Sequence, residues 1–223
     1  MDPFDFLREQ QDELLSENQW LREKINPARR RHDHKAYIQK NFPELAKGMP
    51  QKRFLDIGCG PAESLMVVKD NGHVAMGIET PIGTGGMGDD YVSYAIRNHI
   101  LNDLNVIYGP ALKAVREIQE DSFDCVNMRG SLEQCFAVCM KGRPHHEHHN
   151  ASLLEWDMPA ASLALFRFGS AVAHMLSGRG RIVIHANGSR NHSDFKPVLV
   201  KEFAAAGING YWIEDALYYG TKA

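Results

Sequence analysis

The sequence predicts an α/β fold: a doubly wound, mostly parallel seven-stranded sheet that ends in an antiparallel C-terminal hairpin. Three observations carry this. Short apolar runs alternate with amphipathic stretches from residue 53 to 206, the pattern of parallel strands joined by crossover helices. Gly58 and Gly60 interrupt the first run at its carboxyl end, where such sheets open onto ligands. The last two runs, 210–214 and 216–220, are separated by Asp215 alone, a link that only an antiparallel pair can use.

Composition bounds the function. The chain has 223 residues, of which 43% are hydrophobic and 24% charged, the make-up of one globular domain with an appendage. A net charge of −3 gives no electrostatic footprint for nucleic acid. No apolar run approaches the roughly 20 residues of a membrane-spanning helix. The first ten residues, MDPFDFLREQ, are acidic and lack the apolar centre of a secretory signal. Cys59, Cys125, Cys135 and Cys139 make no disulfide framework, so a reducing, cytoplasmic setting is expected.

Residues 53–79 organise the rest. Phe54, Leu55 and Ile57 form a buried strand that carries Asp56 near its end. Gly58 and Gly60 let the backbone approach a ligand with no Cβ in the way. Pro61 suits a first helical position, Leu65, Met66 and Val68 supply the helix with an apolar face, and Asn71-Gly72 stops it. Val74, Met76 and Ile78 restart a strand that closes on Glu79, an acid able to accept two hydrogen bonds from ribose hydroxyls. A dinucleotide fingerprint requires a third glycine where Glu63 stands. A carboxylate repels a pyrophosphate there, so NAD is disfavoured. Asp56, just before the glycines, points instead to a ligand with positive charge.

Upstream, residues 1–27 are expected to form a separate heptad-patterned helix. Leu7, Leu14 and Leu21 recur every seven residues, with Phe4, Gln11, Asn18 and Ile25 in the alternate seam positions. Such a seam implies either a coiled coil between copies or packing on the chain's own domain, residues 28–223. Arg29, Arg30 and Arg31 read as a solvated basic face, and Ile38, Phe42 and Leu45 as the inner side of a second helix. His32, His34 and Tyr37 are candidate lid contacts.

Downstream, Gly83, Gly85 and Gly88 match Gly-x-Gly-x-x-Gly but neither follow a strand directly nor open a helix, so 80–92 is expected to be a loop beside the pocket. A helix over 91–104, a strand over 105–109 and a helix opened by Pro110, with Leu112, Val115 and Ile118 inside, come next. A fourth strand covers 122–128, a long helix 156–177, a fifth strand 181–185 and a last helix 195–206, stopped by Gly207.

An insert at about 135–155 breaks this rhythm with Cys135, Cys139 and the run His145-His146-Glu147-His148-His149. Thiolate and imidazole suit zinc, but the spacing matches no known knuckle and no metal is expected. Cys135 and Cys139 also fit one apolar helix face with Phe136 and Val138. One of His145, His146 and His148 is a candidate general base for a hydroxyl substrate. Glu155 and Asp157 compete for that role, and a solvent-exposed His-rich loop is the plain alternative.

Asp56, Gly58 and Gly60, with Glu79 one strand later, resemble the first motif and ribose acid of the class I S-adenosylmethionine-dependent methyltransferases of small-molecule type. Phe123-Asp124-Cys125-Val126, followed by Leu132-Glu133, also resembles a segment of that group, with Gln134 in place of its usual histidine. The resemblance runs from about residue 53 to 222. It implies a Rossmann-like sheet and S-adenosyl-L-methionine as cofactor. Asp56, Gly58, Cys59 and Gly60 would lie by the methionine moiety, and Glu79 and Thr80 by the ribose. Gly109, Pro110 and Ala111 would edge the adenine through backbone groups, since the acid frequent there is absent. Arg129, Gly130 and Ser131 would stand at the reacting end, with Arg129 able to pair an anion of cofactor or substrate. No Asn-Pro-Pro-Tyr or Asp-Pro-Pro-Tyr stretch is present, which argues against amino methylation of DNA bases or glutamine. The expected activity is methyl transfer to a small-molecule or glycan acceptor, at a hydroxyl. The alternative is a non-catalytic methyltransferase-like module. Expected partners are the substrate and, through the N-terminal helix, a second copy of the chain; nucleic acid is not expected.

Overall fold

A computed structural model of the chain describes residues 4–19, 22–23, 27–80, 88–136, 140–141, 155–186, 195–213 and 216–223. The first strands are β1 (Arg53–Ile57), β2 (Val74–Glu79), β3 (Asn105–Tyr108) and β4 (Phe123–Arg129). Then come a short ribbon of β5 (Met140–Lys141) and β6 (Glu155–Trp156), and finally β7 (Leu176–His185), β8 (Ile208–Ile213) and β9 (Leu217–Lys222). Seven of these form one sheet in the order β3-β2-β1-β4-β7-β9-β8, with β5 and β6 paired separately. Pairings from β3 through β7 are parallel. β9 runs antiparallel to both β7 and β8. The expected mixed sheet with a terminal hairpin is therefore the observed one.

The helices are α1 (Asp5–Glu17), α2 (Pro27–Asn41), α3 (Glu63–Asp70), α4 (Gly88–Leu101), α5 (Ala111–Ala114), α6 (Leu132–Cys135), α7 (Met158–Met175) and α8 (Phe195–Ala205). Because strand side chains alternate sides, each sheet face recruits its own layer. Leu55, Ile57, Val126, Met128, Ile182 and Ile184 belong to a core with Leu165, Phe168 and Val172 of α7 and Leu199 and Phe203 of α8. Phe54, Cys125 and Val183 belong to a second core with Ile38 of α2, Phe42 just after it, and Leu65 and Val68 of α3. Burying each of these large side chains contributes about 1.5–3 kcal/mol, which is why α2 adheres despite its polar composition.

Several boundaries depart from expectation. Pro61 lies in the turn, and Ala62, left-handed at φ 67°, precedes the first helical residue Glu63. The helix after Pro110 spans only four residues and carries Leu112, while Val115 and Ile118 reach the core from the turns that follow Ala114. Trp156 pairs with Met140 in the ribbon, and Asp157 and Pro159 start α7 instead. β7 begins at Leu176, five residues earlier than the apolar run suggested, after an irregular register against Phe123 and Cys125. Helix α4 starts at Gly88, three residues early, and residues 81–87 of the glycine-rich run lie outside the described residues.

Part of the heptad seam of α1, around Gln11, Leu14 and Asn18, faces the chain's own α4, whereas Phe4 is exposed. Leu14 and Leu15 pack against Tyr91 and Tyr94. The buried Gln11 amide donates to the Tyr94 carbonyl at 3.4 Å, and Asn18 donates to Asp90 at 2.7 Å. The two polar seam residues thus find partners inside the chain. Trp20, Leu21 and Ile25 lie outside the described residues. Among the described residues no helix is long and apolar enough to cross a membrane.

Candidate active site

The alternation that builds the second core also builds the site. Beyond Phe54 on the same side of β1 comes Asp56; beyond Cys125 on β4 come Asn127 and Arg129; beyond Val183 on β7 comes His185. Register places Asp56 beside Asn127, and Arg129 beside His185. All four therefore sit at the carboxyl ends of three adjacent strands, on the face that α2 covers.

Helix α2 meets them with residues spaced three and four apart, which share one helix side. Arg30 Nε pairs with the Glu63 carboxylate at 3.0 Å. His34 Nδ1 lies 2.7 Å from the Ser64 hydroxyl. The Tyr37 hydroxyl donates to Asn127 Oδ1 at 2.9 Å, and the Tyr219 hydroxyl donates to Asn41. Asn127 Nδ2 in turn donates to Asp56 Oδ1 at 2.7 Å. Asp56 also accepts a hydrogen bond from Ser64, so two chains of contacts from α2 converge on one carboxyl group. His34 and Tyr37 thus reach the groups at the strand ends, whereas His32 is exposed.

Electrostatics follow from burial. Asp56 is 4% exposed. Burial pushes its carboxyl up to about 7, against the hydrogen bonds from Asn127 and Ser64 and the nearby Arg129 charge. Burial, then Arg129 and Arg30, hold His34 down to about 3, so its imidazole is neutral. Burial and then Arg129 also lower His185. Burial raises Glu63, opposed chiefly by Arg30.

The glycine turn is clamped from several sides. Gly58 N–H and Cys59 N–H donate to the Ile78 carbonyl at 2.8 and 3.1 Å. Ser131 Oγ donates to the Ile57 carbonyl at 2.7 Å. A Cβ on Gly58 would stand 2.3 Å from Ser131 Cβ, and Gly58 adopts φ +72°. Gly60, at φ +53°, faces the Tyr91 hydroxyl across a gap that a Cβ would close to 2.7 Å. His99 Nε2 lies 2.6 Å from the Gly60 carbonyl, while the Tyr108 hydroxyl is 2.8 Å from Nδ1. Burial keeps His99 neutral, so Nε2 carries the proton and Nδ1 accepts. Asn98 donates to the Pro61 carbonyl at 2.5 Å.

Glu79 joins this turn to the next strand. Its Oε2 accepts the Gly60 N–H at 2.6 Å. A bond from the Thr80 N–H adds to this, and both oppose the upward push of burial. A carboxylate offers about four acceptor positions, so capacity remains for ribose hydroxyls. Thr80 Oγ1 donates to the Gly109 carbonyl at 3.2 Å, and Gly109 N–H donates to the Glu79 carbonyl at 2.9 Å. This brings the expected adenine edge next to Glu79. Pro110 is exposed beside it, while the Ala111 side chain is buried in the first core.

Other expected residues stand differently. The Cys59 side chain packs in the second core, its sulfur 2.6 Å from where a Gly77 Cβ would lie, so only its backbone borders the turn. The Ser131 hydroxyl is spent on the Ile57 carbonyl, and Gly130 N–H on the His185 carbonyl at 2.8 Å. Asp157 caps α7, accepting from Ala160 N–H at 3.3 Å. That bond engages the carboxylate considered above as a base. His145, His146 and His148 lie outside the described residues, as does Cys139. Among the described residues no three His, Cys, Asp or Glu gather as a metal site.

Sequence reasoning passed over Asn127, Ser64, Tyr91, Asn98, His99 and His185. Asn127 and His185 had a signal: each is a polar residue following buried apolar residues near the carboxyl end of a strand. The others become visible only once α3 and α4 are placed around the turn.

No family model matches the chain, and no curated protein matches it in sequence. Solved structures do. The chain is similar to DesVI of Streptomyces venezuelae at 13% identity, over 86% of this chain and 90% of that chain, with TM-score 0.53. It is similar at 13% identity to a chain from the complex between the Haloferax volcanii Trm112 methyltransferase activator and a methyltransferase, over 89% of this chain and 92% of that chain, with TM-score 0.53. A SAM-dependent methyltransferase from Aquifex aeolicus aligns at 12% identity over 85% of this chain and 89% of that chain, with TM-score 0.50. With its strand order, its antiparallel last hairpin and its glycine turn after β1, the chain has the fold of the class I S-adenosylmethionine-dependent methyltransferases.

Proposed function

We propose that the chain transfers a methyl group from S-adenosyl-L-methionine to a small-molecule or glycan acceptor, at a hydroxyl, in a reducing cytoplasmic setting. One observation carries this reading: two carboxyl groups, Asp56 and Glu79, end neighbouring parallel strands on either side of a glycine turn whose Gly60 N–H one of them holds. The residues present fit the cofactor. Gly58 and Gly60 hold positive φ and leave no room for a Cβ, Glu79 keeps acceptor capacity for a ribose, and Asp56 sits poised between neutral and ionised forms.

When bound, the cofactor supplies an electrophilic methyl on a sulfonium, whose carbon–sulfur electrons remain with sulfur. The protein's contribution is orientation and exclusion of water. Asp56 balances the positive end of the nucleoside and Glu79 fixes its ribose. Tyr37, His34 and Arg30 on α2 hold a cover over the strand ends. Leu14 of the α1 seam and its neighbour Leu15 pack on the chain's own α4, and self-association through α1 remains part of the proposal.

Isothermal titration with S-adenosylhomocysteine and with NAD tests the assignment. Binding of the first alone is expected; binding of NAD alone, or of neither, overturns it. A chain that binds S-adenosylhomocysteine yet methylates nothing in a broad hydroxyl-acceptor screen is the non-catalytic module instead.

A further inference from the structure

Arg129 is unusual among the charged groups of this site. Its Nη1 is shielded from solvent and has no hydrogen-bond partner, and it makes no ion pair with any described residue. The guanidinium rests 4.4 Å from the centroid of the Tyr37 ring. That ring stacks with His185, centroids 6.0 Å apart. His185 Nδ1 is likewise buried without a partner. Register pairs the two residues at the ends of β4 and β7.

No carboxylate pairs directly with this cation, although Asp56 and Glu63 both feel its charge. Glu63 is engaged by Arg30, and Asp56 by Asn127 and Ser64. Burial raises the Asp56 carboxyl to about 7 even with Arg129 close by, and no hydrogen bond joins the two side chains. His34 and His185 are held neutral. A guanidinium nitrogen shielded from solvent with no acceptor is costly. The planar fork of the group matches a carboxylate or phosphate. Tyr37 stiffens that fork from one side, and a neutral imidazole beside it can donate one further hydrogen bond.

Resting on the methyl-transfer reading, we infer that Arg129 and His185 form an oxyanion subsite for the acceptor, which therefore carries a carboxylate or phosphate group. The subsite lies toward β7, on the side of β1 opposite to β2 and Glu79, and so away from the ribose end of the cofactor. This assigns Arg129 to the acceptor and not to the cofactor's own carboxylate.

The experiment titrates acetate and inorganic phosphate separately into the protein, free and saturated with S-adenosylhomocysteine, following the His185 imidazole and arginine side-chain resonances by NMR. Millimolar binding of either anion with a shift at His185 is expected, and the two arms tell carboxylate from phosphate. Arg129→Gln should weaken that binding at least tenfold, with Arg129→Lys intermediate because it keeps charge but loses the fork. Both variants should bind S-adenosylhomocysteine and 5′-methylthioadenosine, which lacks the amino-acid end, within twofold of the parent. Silence at His185 toward both anions overturns the inference, as does anion binding that survives Arg129→Gln. Loss of S-adenosylhomocysteine but not 5′-methylthioadenosine in Arg129→Gln also overturns it, by moving Arg129 to the cofactor. Because the anion shifts are read in the parent protein too, a poorly folding variant leaves the first outcome decisive. Failure of the parent to bind S-adenosylhomocysteine defeats the methyl-transfer reading instead, separately from the anion result.

Discussion

The Glu79 carboxylate accepts the Gly60 N–H at 2.6 Å, so the acid that ends one strand also clamps the turn that follows its neighbour. Glu79→Gln keeps the shape but removes the charge from this contact. It is expected to weaken S-adenosylhomocysteine binding by at least about tenfold, the loss of a charge-assisted hydrogen bond worth roughly 1.5–3 kcal/mol. Calorimetric titration checks it. Unchanged affinity in both Glu79→Gln and Asp56→Ala would remove the ribose and methionine ends from this pocket.

Asp56 and His34 meet through Ser64 and pull stability in opposite directions with pH. The Asp56 carboxyl titrates near 7 in the fold and near 3.8 unfolded, so the folded state binds more protons and stability falls as pH rises from about 4 to 7. His34 titrates near 3 in the fold and near 6.5 unfolded. The unfolded state then binds more protons, so stability falls as pH drops from about 6.5 to 3. The slopes largely cancel between pH 4 and 6.5. Urea unfolding of Asp56→Asn should therefore show stability rising with pH across that window, and of His34→Gln falling. Parallel profiles for the two variants would contradict the assignment.

Tyr37 serves two neighbours at once, its hydroxyl bonding Asn127 and its ring lying against Arg129. Tyr37→Phe keeps the ring and leaves the buried Asn127 Oδ1 unpaired, a loss of about 1–3 kcal/mol. Tyr37→Leu removes the ring contact as well. Chemical denaturation should rank the parent above Tyr37→Phe and that above Tyr37→Leu; equal midpoints would show that α2 holds without this contact.

Gly58 tolerates neither a side chain nor a right-handed conformation. Its added Cβ would overlap Ser131, and φ is +72°. Gly58→Ala is expected to lower the melting temperature by several degrees, and Ser131→Gly in the same chain to restore only part of it. The overlap is then relieved while the backbone strain stays. Full rescue would place the whole effect in the overlap.

Much of this was readable along the chain. The period-two apolar runs and the glycines at 58 and 60 specify local geometry, and local geometry is what a linear pattern encodes. The N-terminal heptads were also legible, but not their partner, because Gln11 and Asn18 suit a second copy as well as they suit Tyr94 and Asp90. The shortness of α5 escaped because Val115 and Ile118 satisfy the core from turns as readily as from a helix.

The amino-acid order by itself determined the sheet class, the acid–glycine turn after β1 and the second acid at the end of β2, since each depends on neighbours within a few residues. Only the tertiary structure decided that Cys59 and Ala111 turn their side chains inward, that Asp157 caps a helix, and that Arg129, Tyr37 and His185 share one half-buried layer. That layer exists because β4 and β7 are adjacent and α2 packs across their ends, a contact between segments roughly 90 to 150 residues apart that no local spacing can announce.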